Sequence, residues 1–342
     1  MIQSEGRKNA KMPLGLYAAA AILLGLGMGQ FSKPNWMHVV IYPALFLMLY
    51  PSMLDVDFSG IKRVFVSPGL VTGALLMNFL VAPLLIFGLV CLFAGAGQLH
   101  LMVGVILYGL VPGGGMVPAF TAMLKGNVNL TILISAISSI LSLGIVPLLT
   151  EFLIGARVAL SPMLIFQHLC CIILIPLTLA VLTRHIIVRR RGNATFLLAK
   201  DRIQALSGLG LGLLLFAMSV LYGDIVMSQP LMIPRIAGPV ASFLLILFLL
   251  SGLLGRVFSV RHDDAVALTV STTAKNNAVS LALAYSAFGP DAALVNAIAG
   301  PLVQLPILLG FIAFKKRRTT SPPVFGPLKA YWHRDSTTAN RS

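Results

Sequence analysis

Residues 271–284 read STTAKNNAVSLALA, inside an apolar run that begins at Ala265 and stops at the turn Gly289-Pro290. The run has the length and composition of a membrane-buried helix, yet a lysine stands in its middle, flanked by hydroxyls and amides. A charge at the centre of a spanning helix costs about 2.5 to 3.5 kcal/mol on insertion scales. Lys275 therefore needs a compensating partner or a task.

The rest of the chain supplies the context. Of its 342 residues 58% are apolar and 10% charged, whereas soluble domains are roughly a quarter charged. Apolar runs of about 18 to 25 residues recur along the length, each long enough to cross a hydrocarbon core as a helix. The reading is an all-α integral membrane protein whose first partner is the lipid bilayer. The run after Arg7, Lys8 and Lys11 is too long for a signal core and has no A-x-A end, so it reads as a first span. Cys91, Cys170 and Cys171 lie in apolar runs without metal or disulfide spacing.

Ten transmembrane helices are expected, near 13–31, 37–54, 66–94, 100–124, 129–153, 163–187, 205–222, 236–255, 264–288 and 291–314, with one long connection at 188–204. With both termini inside, 21 basic residues fall on the cytoplasmic side, 3 (Lys33, Arg157, Arg235) fall outside, and Lys275 remains within a span. That bias supports a multi-pass plasma-membrane protein with cytoplasmic termini. It also explains the net charge of +15 through topology, with no need to invoke nucleic acid. The expected organisation is a cytoplasmic N-terminus at 1–12, five-helix repeats at 13–153 and 163–314, and a basic, disordered cytoplasmic tail at 315–342.

An odd number of spans per half makes the second half inverted, a 5+5 inverted repeat. The fourth span of each half is interrupted: VPGGGMVPAF at 111–120 and STTAKNN at 271–277. Paired breaks of this kind place discontinuous helices at the membrane midplane, where secondary transporters build their sites. Pro112 and Pro118 remove backbone donors, and Gly113, Gly114 and Gly115 supply conformational freedom. The freed backbone groups must be buried in protein or line a wet cavity. The second break offers Ser271, Thr272, Thr273, Asn276 and Asn277 as neutral ligands. Asn78, Ser135 and Ser138 stand in the spans on either side of the first break, where a crossing site would draw on them. Lys275 either attracts an anionic substrate or replaces a bound cation; a lysine that only satisfies backbone carbonyls is the plainer alternative.

The ten acids all fall at span ends or in loops, so no midplane carboxylate is available for sodium or a proton. The six histidines form no ligand or catalytic spacing, and no glycine loop for phosphate is present. An enzyme and an ATP-driven pump are both disfavoured. No cofactor is expected, only Na+ or H+ as a coupling ion.

VPGGG with MLKGNVNLTILISAISSIL, and STTAKNNAVSLALAYSAFGPDAALVNAIAGPLVQLP, resemble the fourth and fifth and the ninth and tenth spans of the bile acid:sodium symporter superfamily. IYPALFLMLYPSMLDVDFSGIKR and MNFLVAPLLIFGL resemble its arsenite permease branch, the arsenical-resistance relatives. The resemblance implies a core domain of spans three to five and eight to ten, a panel domain of the others, and two broken crossing helices, the fourth and ninth. Substrate would bind between panel and core, with alternating access from their relative movement. Sodium-coupled members carry a glutamate where Ser271 stands, and Gln-Asn where Lys275-Asn276 stands. Asn78 takes the place of a span-three glutamine, and Ser135 and Ser138 match fifth-span hydroxyls. The cysteine of arsenite permeases is missing at Pro118-Ala119-Phe120-Thr121, and Gln304 stands where their tenth-span region carries a glutamate.

The resulting expectation is a secondary transporter of a small organic anion, coupled to sodium or protons. The alternatives are a metalloid (arsenite) efflux permease driven by the proton gradient, and a non-transporting membrane sensor or scaffold.

Overall fold

A computed structural model describes residues 14–54, 68–93, 99–114, 116–155 and 162–320. Gly115 and the segments 1–13 and 321–342 lie outside the described residues. Among the described residues every regular element is helical, and the one β-type contact is an isolated antiparallel bridge between Gly113 and Lys275. Helix is what apolar surroundings impose, because hydrocarbon offers a backbone no hydrogen bonds and the chain must supply its own.

The first two helices are α1 (Leu14–Phe31) and α2 (Met37–Met53). The third apolar run folds as α3 (Pro68–Leu76), a π turn at Met77–Val81 and α4 (Ala82–Phe93). The π turn stands just ahead of Pro83, which has no N–H to give the helical ladder. The first broken span is α5 (Leu99–Leu110) and α6 (Val117–Met123), and α7 (Val128–Ile154) follows. Next come α8 (Pro162–Ser228) and α9 (Met232–Val257). The second broken span is α10 (His262–Thr273) and α11 (Asn277–Leu283) with a π turn at Ala284–Phe288. The last run is α12 (Pro290–Ile298), a π turn at Ala299–Gln304 and α13 (Leu305–Thr320).

Five helical stretches, Pro68–Phe93, Val128–Ile154, Pro162–Asp224, Met232–Val257 and Pro290–Lys315, are long and apolar enough to cross a membrane. Shorter apolar helices cover Ala19–Phe31, Met37–Pro51, Leu99–Leu110 and Asn277–Phe288. Large apolar side chains such as Leu24, Leu92, Phe152 and Leu249 are exposed along these helices, as a surface solvated by lipid requires. The molecule is a multi-pass membrane protein.

Three expectations need correcting. The connection expected at 188–204 is helical on both sides of Gly192, which alone leaves helical geometry at φ 79°, ψ 167°. Arg, Ala, Leu and Lys in that stretch are strong helix formers, and glycine tolerates the left-handed bend. The second break is also narrower than its polar sequence implied. Ser271, Thr272 and Thr273 remain in α10, and only Ala274 to Asn276 leave the helix; within α10 the two threonine hydroxyls are satisfied by carbonyls of their own helix. Finally, α13 runs past Lys315 to Thr320, so the expected tail begins inside a helix.

Two packing groups emerge. In one, α8 lies along α1 and α2. In the other, α5 packs on α12, α9 on α4 and α10, and α7 on α6 and α10. The ends of α7 and α10 are tied together by Asn127, whose side chain caps α7 at Leu130 N (3.1 Å) and donates to Asp264 Oδ1 at 2.7 Å. The start of α10 is thereby held against the junction of α6 and α7.

Candidate functional site

The two interruptions solve each other's backbone problem. Asn276 N donates to Pro112 O at 3.0 Å, and Gly113 bridges Lys275 in antiparallel register. Chain that cannot be helical is thus paired as a two-residue ribbon, out of reach of lipid. The restart of α11 is capped by the Asn276 side chain, which accepts from Val279 N at 3.2 Å. Gln304, on the π turn before α13, covers the remaining edge: its amide exchanges two hydrogen bonds with the main chain of Lys275. Tyr108 on α5 donates its hydroxyl to the same Gln304 oxygen. The approach is so close that a Cβ on Gly114 would lie 2.5 Å from Asn276 Cγ, and one on Gly300 would lie 2.2 Å from Asn277 Nδ2.

The Lys275 side chain points away from this ribbon. Its residue is 3% exposed, and Nζ donates to Asn78 Oδ1 at 3.2 Å. Asn78 is itself anchored, since its Nδ2 donates to Ser271 O at 3.4 Å, which leaves Oδ1 facing the ammonium. The ring of Phe243 lies 5.6 Å from Nζ, within cation–π range, and Tyr108 meets that ring edge-on. Among the described residues no carboxylate pairs with Lys275. What offsets its burial among the described residues is a neutral oxygen and an aromatic face.

The remaining expected ligands divide into two sets. Thr272 and Thr273 are fully buried; Thr272 bonds Leu268 O, Thr269 O and Ser251 Oγ, and Thr273 bonds Thr269 O. Ser135 Oγ, Ser138 Oγ, Ser271 Oγ and Asn277 Oδ1, by contrast, are buried without a protein partner. Three of the relevant residues follow one shared packing layer. Ala74, Ile134 and Ala267 pack where α3, α7 and α10 meet, and four residues on from each stand Asn78, Ser138 and Ser271.

Sodium is the ion that the resemblance implies for this set. The oxygens are hard-cation donors of the right type, but the one oriented oxygen, Asn78 Oδ1, already holds an ammonium. A second positive charge about 4 Å away would be repelled by about 4 kcal/mol at an effective dielectric of about 20. The residues around Asn78 do not fit a sodium ion.

A cavity of about 400 Å³ opens between the two packing groups. One wall is α2 and α8, with Met48, Gln204, Ser207, Gly208 and Leu211; the other is the crossing, with Gly114, Lys275, Asn276, Asn277 and Gln304. Of the expected site residues, therefore, Gly114, Lys275, Asn276 and Asn277 reach the cavity. Ser271, Thr272, Thr273, Asn78, Ser135, Ser138, Gly113 and Pro118 are not on its wall, and Gly115 lies outside the described residues. No carboxylate and no cysteine is found among the described residues of the lining. Gln304 is the principal residue that the sequence undervalued; an amide between Pro301 and Pro306 inside an apolar span was the available signal. The α8 wall carried no clear signal, because Gln204 closes the expected connection at 188–204 and Ser207 is a single small polar residue in the expected span 205–222.

Interrupted helices that meet around a buried polar centre, beside a cavity between two helix groups, define the construction of secondary transporters. The chain belongs to the sodium bile acid symporter family, whose model matches residues 42–229. It is 25% identical over 340 residues to an uncharacterized transporter of Synechocystis sp., covering 89% of this chain and 88% of the other. It is 24% identical over 329 residues to the arsenical-resistance protein Acr3 of Alkaliphilus metalliredigens, covering 89% and 91%. A shorter match, 30% identity over 127 residues, joins 36% of this chain to 33% of the hepatic sodium/bile acid cotransporter of Rattus norvegicus.

Proposed function

We propose that this protein is a secondary transporter that moves a small organic anion across the plasma membrane by alternating access between an α1–α2–α8 panel and the remaining core. The observation that carries the reading is the cavity between the two groups. It is apolar for most of its wall, bears amides at Asn276, Asn277, Gln304 and Gln204, and has a buried ammonium behind the crossing with no carboxylate among the described residues to neutralise it. An uncompensated positive charge in a low-dielectric wall favours an anion over its neutral isostere.

Ten spans in an inverted 5+5 arrangement, with both termini inside, accompany this reading. In that orientation the cavity walls come from the cytoplasmic halves of α2, α8 and α13. At the opposite ends Tyr42 meets Tyr285, His38 meets Tyr222 and Lys33 pairs with Asp224 at 2.7 Å. Those contacts would close the outer face while the inner face stands open. The test is a thermal-shift screen of small carboxylates against their amides, followed by counterflow of the best binder in proteoliposomes. Selective stabilisation by the carboxylates and exchange of the labelled one are expected; equal stabilisation by the amides would overturn the anion assignment.

A second reading, metalloid efflux driven by the proton gradient, is favoured by the near full-length match to Acr3 proteins of two bacteria. Against it, Cys91, Cys170 and Cys171 are all absent from the cavity wall, so thiolate capture has no local donor. Expression in an arsenite-sensitive host separates the two, since resistance is expected only from the efflux permease.

A further inference from the structure

We infer that the Lys275 ammonium is a resident cation: it occupies a monovalent-cation site built on Asn78, so that this chain binds no sodium there and does not need it. The inference deepens the transport reading by assigning its ion requirement, and it rests on that reading only for the consequence to transport.

Four observations carry it. The oxygen that receives Nζ is oriented in advance, because Asn78 Nδ2 is held by Ser271 O and its neighbours lie in a π turn that presents the side chain to the crossing. The surroundings are those that suit a monovalent cation. They comprise a neutral carbonyl-type oxygen and the face of Phe243, with no acid among the described residues that would form an ordinary ion pair. Oxygen donors are in surplus: Ser271 Oγ, on the residue whose carbonyl holds Asn78, and Ser138 Oγ, on the neighbouring α7, are almost completely buried and unpartnered. Last, the residue that brings the charge is covalently part of the ribbon joining the two interruptions. A tethered ammonium therefore does for the crossing what a bound ion would do, without an ion that can leave.

A lysine whose only duty was to snorkel would reach toward headgroups. This one is directed inward. A lysine placed to meet substrate would present Nζ to the cavity, but Asn78 and Phe243, the two side chains that meet Nζ, are absent from the cavity wall.

The experiment uses the full-length protein in detergent, with melting followed in sodium chloride and in choline chloride at equal ionic strength. The wild-type protein is expected to melt at the same temperature in both. Lys275→Ala vacates the site beside Asn78 Oδ1 and the free serine hydroxyls, and its melting temperature should rise by about 3 °C or more in sodium or ammonium chloride relative to choline. That is the scale of a ligand present at several times its Kd. Asn78→Ala in the same background should abolish the rise. If Lys275→Ala fails to fold, Lys275→Met takes its place, and binding of labelled sodium to the wild-type protein tests the site without any variant. Sodium stabilisation or stoichiometric sodium binding in the wild-type protein would overturn the inference, as would a folded variant indifferent to the ion. None of these readouts needs a substrate, so their outcome is separate from that of the carboxylate screen.

Discussion

Gln304 completes the backbone of Lys275 from both sides. Lys275 N donates to Gln304 Oε1 at 3.1 Å, and Gln304 Nε2 donates to Lys275 O at 3.0 Å. The side-chain amide thus acts as a third strand beside the ribbon formed by Gly113 and Lys275, and it ties α13 to the second interruption. Replacing it with leucine, similar in size but without hydrogen-bonding groups, leaves a buried N–H, a buried C=O and the Tyr108 hydroxyl unmet. Each costs about 1 to 3 kcal/mol. Gln304→Leu is expected to lower the melting temperature sharply and abolish transport of any substrate, measured by thermal denaturation in detergent and by uptake.

Gly114 and Gly300 set how closely the two interruptions and α12 approach. An added methyl at either position meets an asparagine side chain at 2.5 Å or less, and those asparagines line the cavity. Gly114→Ala and Gly300→Ala should therefore impair substrate binding more than a helix glycine with room around it does. Gly144 on α7 has nothing within 4 Å of an added Cβ. Gly144→Ala should be neutral, or stabilise by up to about 1 kcal/mol through helix propensity. Parallel binding isotherms and melting curves of the three variants check the contrast.

The interruptions were legible because proline and glycine in an apolar run have a backbone meaning independent of tertiary context. Lys275 was legible through its charge, which had to be explained. Which hydroxyls stay free was not legible, and the reason is local. Thr272 and Thr273 can bond the carbonyls of their own helix, and do, while Ser135, Ser138 and Ser271 keep unpartnered oxygens. Nothing in residue type distinguishes those outcomes. The α8 wall was illegible for a different reason: Met48, Gln204 and Leu211 are ordinary residues for their helices and matter only because α2 and α8 pack opposite the crossing. Gly192 shows the converse limit, since a charged stretch with one glycine reads as a loop until its helix formers are weighed.

Asn127 joins the start of α7 to α10 by two interactions on opposite sides of its amide. Its Oδ1 caps Leu130 N, and its Nδ2 donates to Asp264 Oδ1. Asn127→Ala should cost about 1 to 2 kcal/mol from the cap alone, plus the lost bond to a carboxylate that Arg261 also contacts at 3.3 Å. Asn127→Asp separates the two contributions. Aspartate caps as well as asparagine does, but it presents a second carboxylate to Asp264, so Asn127→Asp should be at least as destabilised as Asn127→Ala. Recovery to wild-type stability in Asn127→Asp would show that the cap is the whole contribution of this residue.

Gly208 offers a way to block the cavity without touching the crossing. It lies on the α8 wall, a Cβ there has nothing within 4 Å, and the cavity lies before it. Leucine at this position removes a helix-weakening glycine, worth up to about 1 kcal/mol in favour of α8, while its side chain extends toward Asn276 and Asn277 across the open space. Gly208→Leu should therefore melt no lower than the wild-type protein and yet bind its carboxylate ligand about tenfold more weakly, the effect of losing about 1.4 kcal/mol. Sodium insensitivity of melting should be unchanged, because Asn78 and Lys275 Nζ lie behind the crossing. A variant that binds as the wild-type does would place the substrate somewhere other than between α8 and the two interruptions.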